Sequence, residues 1–255
     1  MSEATFGKIA TLSIAFMLGT AAIALAQERG YQPPPQTPTV EYQKKVLTPG
    51  STEHAVRQEM AVPLSEAVEL AKKSDLKGAL VKAQQADGIA SDKSAYEEYV
   101  VSKLIGTYAG QLGDNKAAAA GFDRALASSA MPAEERPQML RITMGLNINA
   151  GNYVRAVSLG EELQKLGKAD GDALSDLSLA YYMKGDFQSA RKVAQASINA
   201  QSATGKQPHD QTLKILLNSQ IKTGDQRGAR QTQDRLCAMT PPPSDVRCPP
   251  RSSGG

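Results

Sequence analysis

The side chains of this chain that could do chemistry are few and scattered. His54 lies in a proline-rich stretch and His209 precedes the last helical segment, so neither falls in a metal-ligand pattern. Gly205-Lys206 lacks the upstream glycine that a phosphate-cradling loop requires. No nucleophile-elbow pattern occurs. The acidic pairs Glu97-Glu98, Glu134-Glu135 and Glu161-Glu162 fall near helix starts or on exposed faces. They read as solvated surface, with a modest contribution to the helix dipole where they open a helix. No enzyme, metal or cofactor is expected, and any function must lie in a surface.

The remaining reactive side chains are the two cysteines, Cys237 and Cys248, and their meaning depends on the compartment. The first 26 residues read as a secretory signal peptide. Lys8 and the amino terminus begin it, the apolar run Ile9 to Ile23 follows, and Ala24-Leu25-Ala26 places small residues before Gln27. An uncleaved anchor is the alternative, but Thr11, Ser13, Gly19 and Thr20 interrupt the run. No cysteine follows the cleavage position, which argues against lipoprotein processing. Export to a periplasmic or secreted location makes an even cysteine count a disulfide. A ring that short restricts the unfolded chain by roughly 2.5–3 kcal/mol. No C-x-x-C spacing is present to support a redox role.

Composition narrows the fold. The chain of 255 residues has 5% aromatic residues, no tryptophan and 37 alanines, a profile for helices packed through small side chains. Its formal net charge of +3 supports neither a nucleic-acid binder nor an acidic solvating tail. Residues 27–63 form a Pro/Gln-rich disordered linker, broken by Pro33, Pro34, Pro35, Pro38 and Pro49. Residues 64–238 carry helical apolar periodicity, and 239–255 form a flexible Pro/Ser/Gly tail.

Within the helical region a short phrase returns five times: Ser74-Asp75, Gly113-Asp114, Gly151-Asn152, Gly185-Asp186 and Gly224-Asp225. Glycine just past a helix end can take the left-handed conformation that other residues resist, and the Asp or Asn after it can cap the next helix. One dipeptide thus closes a helix and opens its antiparallel partner. The anchors are spaced by 39, 38, 34 and 39 residues. The longer steps carry inserts between hairpins, at Ser128 to Pro132 and Ala203 to Pro208. Five residues after each anchor stand Ala79, Ala118, Ala156, Ala190 and Ala229. Leu174, Leu177, Tyr181, Gly185, Phe187, Ala190 and Ala194 give the fourth unit its apolar, turn and small positions in order.

These residues resemble the tetratricopeptide repeat (TPR) family, over roughly residues 64 to 238. The resemblance implies an all-α, right-handed α-solenoid of about five helix-turn-helix repeats, with atypical end units. It also implies that the first helix of each hairpin lines an inner surface that holds extended peptides or partner helices. In the family's register that surface includes Lys72, Lys103, Thr107, Gln111, Arg141, Asn149, Ser175, Tyr182, Lys214, Asn218 and Lys222. Lys103, Arg141 and Lys214 share one place in three units and would form a basic ladder for an acidic segment or a terminal carboxylate. The alternative is that they only keep an exposed face soluble. Lys214 and Asn218 match the opening pair of the family's carboxylate clamp, but no further hairpin follows to complete it.

The expected function is a non-enzymatic protein-protein interaction scaffold of the bacterial cell envelope, binding a protein or peptide in its groove. A homodimer through the end faces stays open. The rivals are an envelope binder of glycan or lipid and an accessory subunit that positions a catalytic partner. Four Phe, eight Tyr and no Trp supply few aromatic platforms for a glycan.

Overall fold

The computed structural model describes residues 55–239 and Cys248. The expected signal peptide and most of the expected linker and tail lie outside these residues. Ten helices follow in order: α1 (Gln58–Lys72), α2 (Leu76–Ile89), α3 (Ala95–Gln111), α4 (Asn115–Ala127), α5 (Arg136–Asn149), α6 (Tyr153–Lys165), α7 (Gly171–Lys184), α8 (Phe187–Ala203), α9 (Asp210–Lys222) and α10 (Gln226–Ala238). Among the described residues there is no strand.

The helices pair as five antiparallel hairpins, and each hairpin packs on its neighbours along the chain. In addition α7 packs directly on both α5 and α9, whereas no second helix makes comparable contact with another second helix. First helices close together and second helices further apart give a curved stack with the first helices inside. The architecture is an all-α, TPR-like solenoid.

The turn inside each hairpin explains why one dipeptide recurs. Gly113, Gly151, Gly185 and Gly224 all stand at positive φ, between 78° and 89°. At the second turn the Asp114 N–H donates to the Ala109 carbonyl at 3.0 Å and the Gly113 N–H to Gly110 at 3.0 Å, the paired bonds of a Schellman motif. The other four turns repeat the same pair of bonds. The acid then starts the next helix: Asp75, Asp114, Asp186 and Asp225 accept from the backbone N–H groups of Gly78, Ala117, Ser189 and Gly228. Asn152 makes no such side-chain bond. Ser74 occupies the glycine position of the first turn, at a φ of 63°.

Packing follows from the same register. Ala79, Ala118, Ala156 and Ala190 are fully buried and Ala229 nearly so, each where the second helix meets the first. In the second hairpin the approach is closer still. A Cβ on Gly121 would stand 2.6 Å from the backbone nitrogen of Gly106 and 2.9 Å from the Ser102 carbonyl oxygen. The core runs as two clusters that meet at the second hairpin, where Leu80 and Met131 pack against both.

The ends depart from the middle. The linker was expected to extend to residue 63, yet α1 opens at Gln58 with Pro63 buried inside it. Proline there forfeits only the bond to the Glu59 carbonyl, and Met60, Ala61 and Leu64 bury against the next helices. Apolar contact outweighs that one lost bond. At the other end α10 buries only Ala229, Thr232 and Leu236, so its outer face is polar. Cys237 in its last turn is bonded to Cys248, with Cα atoms 5.5 Å apart, which ties the tail back to the helix.

Two substitutions test this account. Ser74→Gly relieves a left-handed serine and should raise the urea unfolding midpoint, by the equivalent of about 0.5–1 kcal/mol. Gly121→Ala drives a methyl group into rigid backbone and should cost about 1–3 kcal/mol in the same measurement. A neutral Gly121→Ala would show that the two helices are not held this close.

Candidate inner groove

The inner surface is built from the exposed sides of α3, α5, α7 and α9, and its charges are paired. Lys103 on α3 reaches Glu135, which precedes α5, and its Nζ also donates to the Tyr99 hydroxyl at 2.8 Å. Arg141 on α5 donates to Asp170 at 2.7 Å and lies 4.0 Å from Asp172, at the start of α7. Lys214 on α9 pairs with Asp210 one turn earlier, at 3.1 Å. In each case the acid stands at a helix start, where free N–H groups favour negative charge. The expected basic ladder is therefore not a run of free cations. Two of its members tie one hairpin to the next, and the fourth hairpin places Ser175 in the same position, hydrogen-bonded to Thr212.

Asp172 is the most connected of these acids. It accepts from the Gln201 amide at 3.0 Å and faces His209 at 3.2 Å and Lys206 at 3.8 Å. Burial alone would raise its carboxyl, but the Gln201 and His209 bonds and the nearby Lys206 charge hold it below the usual carboxylate range.

The other expected groove residues divide. Lys72 pairs with Glu69, and the Thr107 hydroxyl donates to the Lys103 carbonyl of its own helix. Gln111 is half-exposed, and Asn149 and Asn218 are exposed, with no hydrogen bond among the described residues. Tyr182 is half-buried and meets Phe187 edge-on at 5.4 Å, while Lys222 lies over the other side of that contact, 5.9 Å from the Phe187 ring. Tyr182 is thus partly covered by Phe187 and by the core.

Apolar residues complete the surface. Met183 is 48% exposed and Ile221 59%, and Leu179 is half-buried between them and the core. Gly145 on α5 leaves open space where a Cβ would stand. The lower half of α5, α7 and α9 therefore presents Gly145, Leu179, Tyr182, Met183 and Ile221, flanked by the amides of Asn149 and Asn218. The signal for it was present: these positions lie four to eight residues after Arg141, Ser175 and Lys214, on the same helical faces. Apolar periodicity hid it, because Leu179 and Met183 read equally well as core.

Of the acidic pairs, Glu134 is exposed as expected, but the other acids behave differently from solvated surface. Glu97 is buried, and accepts from the Arg57 backbone N–H and guanidinium at 2.9 Å and from the Ser94 N–H at 2.8 Å. Glu98 pairs with Arg124, Glu162 with Arg136, and Glu161 accepts the Tyr181 hydroxyl proton. These acids hold helices together, and Glu98 also accepts from the Ser102 hydroxyl of its own helix at 3.1 Å. Among the described residues no group of three or more His, Cys, Asp or Glu is placed to hold a metal ion. Among the same residues no helix is long and apolar enough to cross a membrane.

No protein-family model matches the chain, and no curated protein matches it in sequence. Solved structures similar to it include the following two. One is MamA 41-end from Desulfovibrio magneticus RS-1, at 14% identity and a TM-score of 0.49, covering 70% of this chain and 93% of that one. The other is a MamA RS-1 ArsTM double mutant, at 14% identity, a TM-score of 0.50 and the same coverage. The second likeness bears on the fold alone, and it agrees with the hairpin stack described above.

The Glu97 contact gives a pH-dependent prediction. Burial would raise this carboxyl, but hydrogen bonds from Arg57 and Ser94 outweigh it and hold it at about 2, against an ordinary 4.5. Its stabilisation is therefore complete above pH 4.5 and is lost as the pH falls towards 2. Glu97→Gln should lower the thermal midpoint at neutral pH and flatten the acid limb of the midpoint-against-pH curve. An unchanged acid limb would place the acid sensitivity elsewhere.

Proposed function

We propose that this protein is an exported, non-enzymatic scaffold that holds an extended segment of a cell-envelope partner protein against α5, α7 and α9. The observation that carries the reading is the strip described above, where apolar side chains stand exposed beside unbonded amides. An extended peptide leaves its backbone N–H and C=O groups unpaired, and an asparagine side chain can both donate to and accept from them. Its alternate side chains need apolar contacts, which Leu179, Tyr182, Met183 and Ile221 offer. The acidic segment first expected in this groove loses its support, since Lys103, Arg141 and Lys214 already have carboxylate partners.

The absence of catalysis is supported by the roles of the acids, which are spent on bonds between helices. Export is supported by the first 26 residues and by a disulfide, which persists in oxidising compartments. A glycan reading draws less support, because Tyr182 is the only aromatic residue on the strip and its ring already contacts Phe187.

A photo-crosslinking amino acid in place of Met183 should capture a discrete protein in living cells. The same probe in place of Val154, which is 64% exposed on the second helix of the third hairpin, should not. Tyr182→Ala with Ile221→Ala should reduce that capture about tenfold. Equal capture from both positions, or none from Met183, defeats the groove reading.

A further inference from the structure

Among the described residues the arginines without carboxylate partners all lie at the C-terminal end of the stack. Residues 187–239 hold eight Lys and Arg against three Asp, a net of +5. Residues 91–186 hold ten against thirteen, a net of −3, and the first hairpin, residues 57–90, is balanced at five and five. Among the described residues no carboxylate lies within ion-pair distance of Lys192, Lys222, Arg227, Arg230 or Arg235, and Arg230 bonds only the carbonyl of Gln226.

A helix that merely closes a solenoid in water needs polarity, not one sign of charge. The first hairpin shows the neutral solution, where Glu66 pairs with Lys82 and Glu69 with Lys72. On α10 the exposed polar positions are Gln226, Arg227, Arg230, Gln231, Asp234 and Arg235, three cations to one anion. Beside it, an open cleft between α8 and α9 is lined by Gln188, Ser189, Arg191, Lys192, Gln195 and Gln220, over Leu216. Its one acid, Asp225, already accepts from the Gly228 N–H and pairs with Arg191.

We propose that α8, α9 and α10 form a second docking surface, outside the groove, for an acidic segment of a partner protein. Arginines without partners gain charge-assisted hydrogen bonds from carboxylates and lose no existing pair in doing so. The amides and hydroxyl of the cleft suit a peptide backbone running beside them. An anionic membrane fits less well. A helix that lies on lipid inserts an apolar face, and the exposed face of α10 has none. The proposal is independent of the groove reading, since the α10 arginines and the cleft residues are not among those of the strip on α5, α7 and α9.

The test uses the full chain and a short fluorescein-labelled Glu-Ser repeat peptide, followed by fluorescence anisotropy at low ionic strength. R227E/R230E/R235E should weaken binding at least about tenfold, and added salt should weaken the wild type steeply. The control triple K73E/K116E/K168E removes as much charge from other exposed lysines and should change binding less than about twofold. R227Q/R230Q/R235Q gives the same readout with less risk to folding, checked by far-ultraviolet circular dichroism. Equal losses in both triples would reduce the effect to net charge, and no loss in the arginine triple would remove the site. Vesicles of phosphatidylglycerol and phosphatidylethanolamine form the second arm. Binding to vesicles that depends on the three arginines, with no binding to the peptide, would overturn the proposal in favour of lipid. Because the groove residues are untouched, crosslinking from Met183 reports separately on the other surface.

Discussion

Everything above the level of a single helix depends on one backbone step, the left-handed residue between the two helices of each hairpin. It sends the chain back on itself within two residues, and the acid that follows caps the returning helix. With the reversal that tight, the two helices have no room for large side chains at their nearest point. This is why an alanine recurs five residues on, and why Gly121 lies against the backbone of Gly106. The turn therefore dictates the small-residue seam. Larger side chains are pushed to the faces between hairpins, where they form the continuous core.

A seam of alanines is weakly directional, and five similar hairpins could stack in more than one register. Charged contacts between hairpins supply a direction. Arg57 to Glu97 joins the first to the second, Lys103 to Glu135 the second to the third, Arg141 to Asp170 the third to the fourth, and Arg191 to Asp225 the fourth to the fifth. Each half-exposed pair adds little to stability on its own. A slipped stack would leave several charges without partners at once, so the pairs discriminate between registers more than they stabilise the right one. Glu97 is the exception in kind, because it is buried and its cost of desolvation is met only by Arg57 and Ser94.

How much of this could be read from the chain follows from range. The turn dipeptide, the alanine five residues on and the hairpin count are local or periodic, and they were legible. The fate of Lys103 and Arg141 was not, because their acids lie 32 and 29 residues away, in the next hairpin. Helical spacing alone assigned these cations to an exposed face and stopped there. Pro63 misled for the opposite reason: a local rule against proline in helices was overridden by burial of Met60 and Leu64 against later helices. The strip of Leu179, Tyr182 and Met183 was half visible, since period alone cannot separate a core face from a groove face.

The same electrostatic economy shapes what the molecule leaves open. Glu135 and Asp170 stand at the starts of α5 and α7 near free N–H groups, and Lys103 and Arg141 of the preceding hairpins are drawn to them. The pattern needs a following hairpin. Among the described residues no hairpin follows the fifth, and Lys214 pairs with Asp210 on its own helix. The second-helix arginines Arg124 and Arg155 pair back instead, to Asp87 and Asp123, and α8 has no acid to offer Arg227, Arg230 or Arg235. Dissipating the surplus of cations there would have taken only three or four acidic residues on α10, where the exposed positions accept them without disturbing Ala229, Thr232 or Leu236. The sequence instead places arginine at Arg227, Arg230 and Arg235. The residue type matters here, because a guanidinium offers a planar fork to a carboxylate, whereas lysine would serve equally well for solubility.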